Sequence, residues 1–163
     1  MAAETGWNGM VLVFFRHGEA EAKKPSQPDH ERRLTEKGKA DVKAVARHLP
    51  IKPLKIVSSP LRRALETALI ISSMWKVEVD TTDYLRPESP SGVDALNSIG
   101  VRGGEVLVGH NPWLIETVTE LVGGRLALPP AAAAVVKIES LKPGGGILLS
   151  LITPDAVKRC SLG

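Results

Sequence analysis

The sequence predicts an α/β domain of three layers, helices on both faces of a mainly parallel sheet that ends in an antiparallel hairpin. Three observations carry that reading. Met10-Val-Leu-Val-Phe-Phe15 and Glu105-Val-Leu-Val-Gly109 are continuous apolar runs, the pattern of strands buried on both faces. Between them apolar residues recur at helical spacing, as at Val42, Val45, Ala46 and Leu49. Near the end, Ala134, Val136 and Ile138 alternate against Val135, Lys137 and Glu139 before a Pro143-Gly-Gly-Gly146 turn and an apolar stretch over 147–152, which reads as a hairpin.

The elements follow in order. After the first strand the chain is polar over 19–33 and reads as a long loop with a task. Thr35 caps a helix expected over 36–49, stopped by Pro50. A short strand over 54–57 precedes Ser59-Pro60, read as N-cap and first helical residue of a helix whose face is Leu61, Ala64, Leu65, Ala68 and Leu69. A third strand is expected over 77–79, an irregular excursion over 80–92 and a weak helix over 93–99. After the strand over 105–109, Asn111-Pro112 repeats the cap-plus-proline start of a helix carrying Leu114, Ile115, Val118, Leu121 and Val122, which Gly123-Gly124 ends.

The chain has 163 residues, which suits a single domain over 10–163 behind a short tail over 1–9. Its charge of +3 comes from 21 basic and 18 acidic residues spread without a basic block, so nucleic acid is not expected as a partner. Cys160 is the single cysteine, which leaves no disulfide framework and suits a reducing cytoplasm. No run is long enough to span a bilayer and no secretory leader is evident, so no membrane association is expected. Aromatic residues make up 4% against 43% apolar, so the core must be aliphatic.

The informative polar residues fall at strand ends. Arg16-His17 follows the first strand, Arg62-Arg63 sits just after the second, and His110 follows the strand over 105–109. In open α/β sheets ligands bind outside the carboxyl ends of the strands. Arginines, histidines and helix N-termini meeting there make an anion site, and a phosphoryl group is its natural occupant. Taken alone, Arg63 reads as a solvated helix residue near Glu66, and His110 as a hydrogen-bonded core histidine. Convergence at one sheet edge favours the site. His48 and His30 stay with the plain structural reading and have no metal-ligand partner at useful spacing. No nucleotide loop of the G-x-x-x-x-G-K-[ST] type exists.

Four segments then carry a resemblance: Phe15-Arg16-His17-Gly18-Glu19, Arg33-Leu34-Thr35-Glu36-Lys37-Gly38, Ser58-Ser59-Pro60-Leu61-Arg62-Arg63-Ala64-Leu65-Glu66-Thr67-Ala68, and Val108-Gly109-His110-Asn111-Pro112. In this order they resemble the motifs of the histidine phosphatase superfamily, whose fold is phosphoglycerate mutase-like, and the small size is most similar to its SixA-type phosphohistidine phosphatases. The resemblance implies His17 as nucleophile, with a ring nitrogen held by a backbone carbonyl, and Arg16, Arg63 and His110 around the phosphoryl oxygens. It further implies Arg62, Arg33, Gly18 and Asn111 as substrate-binding candidates. No metal or other cofactor is called for, because the arginines supply the positive charge.

One departure bears on the substrate. Where relatives carry a general acid, this chain reads Leu85-Arg86-Pro87-Glu88, leaving Glu88 and Asp83 as nearby substitutes. Phosphohistidine expels an imidazole that protonates near neutral pH, whereas an alkoxide needs a delivered proton. The expectation is therefore a phosphatase acting on a histidine-phosphorylated protein. The alternatives are a small-molecule phosphomonoesterase of the same fold, using Glu88 or Asp83 as acid, and a phosphate-binding module without turnover.

Overall fold

The computed structural model describes residues 9–160. The expected tail over 1–9 lies, apart from Gly9, outside the described residues.

Six strands form one sheet in the order β3-β2-β4-β1-β5-β6. They are β1 (Met10–Arg16), β2 (Lys55–Ser58), β3 (Val79–Thr81), β4 (Glu105–Gly109), β5 (Ala133–Ile138) and β6 (Gly146–Ile152). β3, β2, β4 and β1 run parallel, and β5 and β6 complete the sheet antiparallel. Side chains of β1 alternate between two cores: Val11, Val13 and Phe15 pack on one face, Leu12 and Phe14 on the other. The first face is covered by α1 (Glu36–Arg47), α2 (Arg62–Trp75) and α5 (Pro154–Cys160), the second by α3 (Val93–Ile99) and α4 (Trp113–Val122). Strands buried on both faces explain the uninterrupted apolar runs. No helix among the described residues is long and apolar enough to cross a membrane.

Thr35 caps α1 as expected, accepting from the Gly38 N–H at 2.9 Å. Two other caps differ from expectation. α2 begins at Arg62 with Leu61 before it, and Ser59 Oγ lies instead against His110. Asn111 leaves α4 to begin at Trp113, and its Nδ2 donates to the Leu128 carbonyl across the cleft edge. In both places a side chain that could have closed a helix end serves a distant element. α1 ends at Arg47, two residues before the expected limit, and β3 lies two residues later than expected. α5 was not anticipated. Within the loop over 19–33 the chain forms a one-turn 3-10 helix, Asp29–Glu31, and a bridge between Ala20 and Leu34.

Candidate active site

The parallel strands β1 and β4 are neighbours, with Arg16 level with Gly109, so the residues following each emerge side by side. The backbone ties them further: the His17 N–H donates to the Gly109 carbonyl at 3.1 Å, and the Ala131 N–H to the His17 carbonyl at 3.0 Å. Ala131 is fully buried at φ 64°, a left-handed conformation costly for a residue with a side chain, held here beside the histidine.

Around this junction lies a cleft of about 350 Å³ lined by Arg16, His17, Glu19, Ala20, Arg32, Arg63, Pro87, His110, Asn111 and Pro130. A larger hollow of about 510 Å³ adjoins it across Glu19 and Pro130 but contains none of these arginines or histidines.

His17 Nδ1 lies 2.7 Å from the Gly18 carbonyl oxygen, and Arg63 Nε lies 3.3 Å from His17 Nε2. A carbonyl and an N–H leave one assignment: Nδ1 carries the proton and donates to Gly18, while Nε2 keeps its lone pair and accepts from Arg63. Burial holds the His17 pKa down at about 4; the Gly18 bond opposes this, and Arg63, Arg16 and Arg32 add to the depression. His110, 5.0 Å away between ring centroids, is pushed down to about 3 by burial first and then by His17 and Arg63. Both imidazoles are therefore neutral in ordinary buffer. The positive charge of the cleft resides in its three arginines.

Three polar atoms here are buried without a partner among the described residues: Arg16 Nε, His110 Nδ1 and Asn111 Oδ1. Buried polar groups are ordinarily satisfied, so two nitrogens left over in an arginine-lined cleft suit an oxyanion that brings its own acceptors. Arg16 Nη1 donates to the Leu128 carbonyl at 3.0 Å, which fixes the guanidinium.

Arg16, His17, Arg63, His110 and Asn111 are thus brought together, and the other candidates are not. Arg62 is exposed and donates to Glu66 Oε1 at 3.1 Å. Arg33 is exposed and outside the cleft, whereas its neighbour Arg32 lines it. Gly18 does not line the cleft but holds His17 through its carbonyl; its N–H is spent on Thr67 Oγ1 at 3.1 Å and an added Cβ would meet the Gly38 carbonyl oxygen at 2.7 Å. Glu88 and Asp83 have side chains 70% and 82% exposed, both beside Arg86, and neither lines the cleft. Pro87 does. Sequence reasoning missed Arg32 and Asp29, which pair at 2.9 Å, Asp29 also facing Arg63 Nη2 at 3.3 Å. The charged run over 29–33 was the available signal, but nothing local says which of its members turns inward.

Residues 12–88, which contain most of the first strand, the Arg16-His17 turn and the Arg63 helix, match the histidine phosphatase superfamily (branch 1). Over this segment, just under half of its length, the chain is similar to the histidine phosphatase superfamily. Among solved structures it is similar to a protein histidine phosphatase SixA complexed with tungstate, at TM-score 0.74 and 23% identity over 94% of this chain and 100% of that one. It is also similar to a mycobacterial glucosyl-3-phosphoglycerate phosphatase, at TM-score 0.64 and 20% identity over 86% and 97%. A third is a phosphoserine phosphatase of Entamoeba histolytica in complex with 3-phosphoglyceric acid, at TM-score 0.64 and 18% identity over 88% and 96%. No curated protein matches the chain. The six-stranded sheet, with its antiparallel C-terminal pair, is the phosphoglycerate mutase-like fold of the SixA structures.

Proposed function

We propose that this protein is a member of the histidine phosphatase superfamily, a metal-independent phosphatase that hydrolyses phosphohistidine in a partner protein through a phosphohistidine formed on His17. The observation that carries the reading is the His17 lone pair: Nδ1–H on the Gly18 carbonyl fixes the tautomer, so that Nε2 faces Arg63 unprotonated. Nε2 attacks phosphorus in line, the bond from phosphorus to the substrate nitrogen breaks, and the departing imidazole takes a proton from solvent. Water then attacks the phosphorus on His17, inorganic phosphate leaves, and Nε2 recovers its lone pair. Arg16 and Arg63 hold the equatorial oxygens, with His110 adding a neutral donor and Arg32 further positive charge.

The substrate class rests on the leaving group. Pro87 lines the cleft where an acid is expected, and the two carboxylates proposed to replace it face solvent. Glu19, the one carboxylate in the lining among the described residues, is engaged by Thr35 Oγ1 at 3.0 Å and by Lys37 at 3.7 Å. A phosphoramidate needs no delivered proton, an alkyl ester does. The similar SixA structure is complexed with tungstate, a tetrahedral oxyanion, which supports the reading of an oxyanion ligand here.

The test is a single-turnover comparison, in excess EDTA, of a histidine-phosphorylated protein, an aryl phosphate and an alkyl phosphate, with wild type and His17→Ala. Fast loss from phosphohistidine, slower loss from the aryl ester, little from the alkyl ester and nothing in His17→Ala is the expected result. Preference for the alkyl ester would transfer the proposal to a small-molecule phosphomonoesterase.

A further inference from the structure

Arg63 has a partner at each of its three nitrogens, and two of the three belong to one residue. Nη1 donates to the Asp29 carbonyl oxygen at 3.1 Å, Nη2 faces Asp29 Oδ2 at 3.3 Å, and Nε donates to His17 Nε2 at 3.3 Å. The other carboxylate oxygen, Oδ1, accepts from Arg32 Nε at 2.9 Å. Asp29 therefore holds two of the three arginines that line the cleft, gripping Arg63 at the end remote from the nucleophile.

A carboxylate so close to an anion site works against affinity, since it repels the phosphoryl group that the arginines attract. Its placement makes sense if orientation is what it supplies. A guanidinium on a long side chain samples many rotamers, and fixing its terminal nitrogens directs the remaining edge. The charges agree with that arrangement: although partial burial pushes the Asp29 carboxyl up, Arg63 and Arg32 outweigh it and hold the pKa below the ordinary carboxylate value. Asp29 itself sits in the 3-10 turn Asp29–Glu31 of the loop over 19–33. That turn is where the loop meets α2.

The geometry points to Asp29 as a positioning residue for phosphoryl transfer: its carbonyl and carboxylate fix Arg63 so that the Nε–H edge is held toward His17 Nε2 and a phosphoryl group arriving there. This rests on the phosphatase reading above and adds to it a residue that makes no contact with the reacting atoms. A positioning role and a purely structural one leave different marks. Removing the charge relieves repulsion in the ground state while loosening the geometry of transfer, so affinity for phosphate and rate should part company.

The experiment uses Asp29→Asn, nearly isosteric and at a partly exposed side chain, beside Asp29→Glu, which keeps the charge one methylene further out. Two quantities are read: the dissociation constant for inorganic phosphate, and the single-turnover rate on whichever of the three substrates wild type hydrolyses. Asp29→Asn is expected to lower the rate by about ten- to a hundredfold while binding phosphate as tightly as wild type or more tightly, and Asp29→Glu to recover part of the rate. A rate within about twofold of wild type, or phosphate affinity that falls in step with the rate, overturns the assignment. If the Asn variant does not fold, the Glu variant is read in the same two assays against the same criterion. If wild type hydrolyses none of the substrates, the phosphatase reading fails separately, and the ring ¹⁵N resonance of His17 Nε2 decides for Asp29. It should move in Asp29→Asn as the Arg63 contact loosens, and an unmoved resonance overturns the proposal.

Discussion

Ser59 Oγ stands 2.8 Å from His110 Nε2, joining the end of one strand to the end of another across 51 residues. The same oxygen accepts the Leu61 N–H at 3.3 Å, and donation of its own proton to Nε2 would put the His110 proton on Nδ1, the buried nitrogen without a partner among the described residues. Ser59→Ala tests this assignment by removing the hydroxyl at Nε2. The expected outcome is a shift of His110 toward the Nε2–H form in ring ¹⁵N spectra, with a rate loss on the order of tenfold from a misplaced donor. An unchanged tautomer would show that the serine is only a packing residue.

Arg62 and Arg63 are adjacent in sequence and opposite in surroundings. The Arg63 side chain is 6% exposed and meets His17 and Asp29, while Arg62 is 43% exposed and meets Glu66. Arg63→Ala should reduce the single-turnover rate by about 10²–10³, the range for removing one transition-state donor. Arg62→Ala should stay within about threefold, since an exposed pair separated by four residues on a helix contributes little. Comparable losses in the two would mean that the cleft opens differently when substrate binds.

How far the site could be read from sequence depended on whether its contacts are local. Arg16, His17, Arg63 and His110 were legible because each lies at or next to the end of an element whose apolar pattern fixes its place. Thr35 was legible as a cap for the same reason. Asp29 was not, because its partner is 34 residues away and a charged loop has no periodicity to say which side chain turns inward. Arg32 lies in extended backbone, where successive side chains face opposite ways, so the choice between it and Arg33 needs the loop itself. The serine-proline and asparagine-proline pairs read as helix starts failed at Ser59 and Asn111, whose side chains serve His110 and Leu128. The same signature holds at Thr153-Pro154, where Pro154 opens α5 and Thr153 Oγ1 accepts the Ala156 N–H at 3.2 Å. That seven-residue helix was too short to show a periodic stripe.

The two depressed histidines make the fold acid-sensitive in a defined window. An unfolded histidine binds its proton near pH 6.5, whereas His17 and His110 resist until about 4 and about 3. Between those limits the unfolded chain takes up protons that the fold refuses, so stability is complete above about pH 6.5 and is lost progressively as pH falls. Together the two groups account for an effect on the order of a few kcal/mol. Asp29 and Asp41, whose carboxyls are held below the ordinary value, act only at lower pH. Thermal unfolding should show a falling Tm from about pH 6.5 to pH 4, flattened in His110→Gln. A wild-type Tm that is flat over this range contradicts the burial of neutral imidazoles.

Gly18 and Gly38 mark where the nucleophile turn meets α1. A Cβ on Gly38 would run into the Glu19 carbonyl oxygen, and one on Gly18 into the Gly38 carbonyl oxygen, backbone in both cases. Gly38→Ala should therefore destabilise by about 1–3 kcal/mol and shift the turn that carries His17. Chemical denaturation gives the first quantity and the single-turnover rate the second. Full activity in a stable Gly38→Ala protein would mean that α1 can slide away without disturbing the site.

Pro87 offers the sharpest test of why the substrate should be a phosphoramidate. It lines the cleft beside His17 and His110, in the place where a carboxylic acid could protonate a leaving oxygen. Pro87→Glu installs such an acid without touching the nucleophile or its arginines. An alkoxide leaving group depends on proton delivery, which general acids supply at about 10²–10⁴-fold, whereas an imidazole leaving group does not. The variant is expected to gain alkyl phosphatase activity by at least about tenfold, with the phosphohistidine rate changed little. The comparison is internal to one variant, so a general loss of folding would lower both rates and be recognised as such. If the alkyl rate stays at the wild-type level while phosphohistidine is still hydrolysed, the missing acid does not set the substrate class, and the shape of the rim around Arg32 and Pro130 must do so instead.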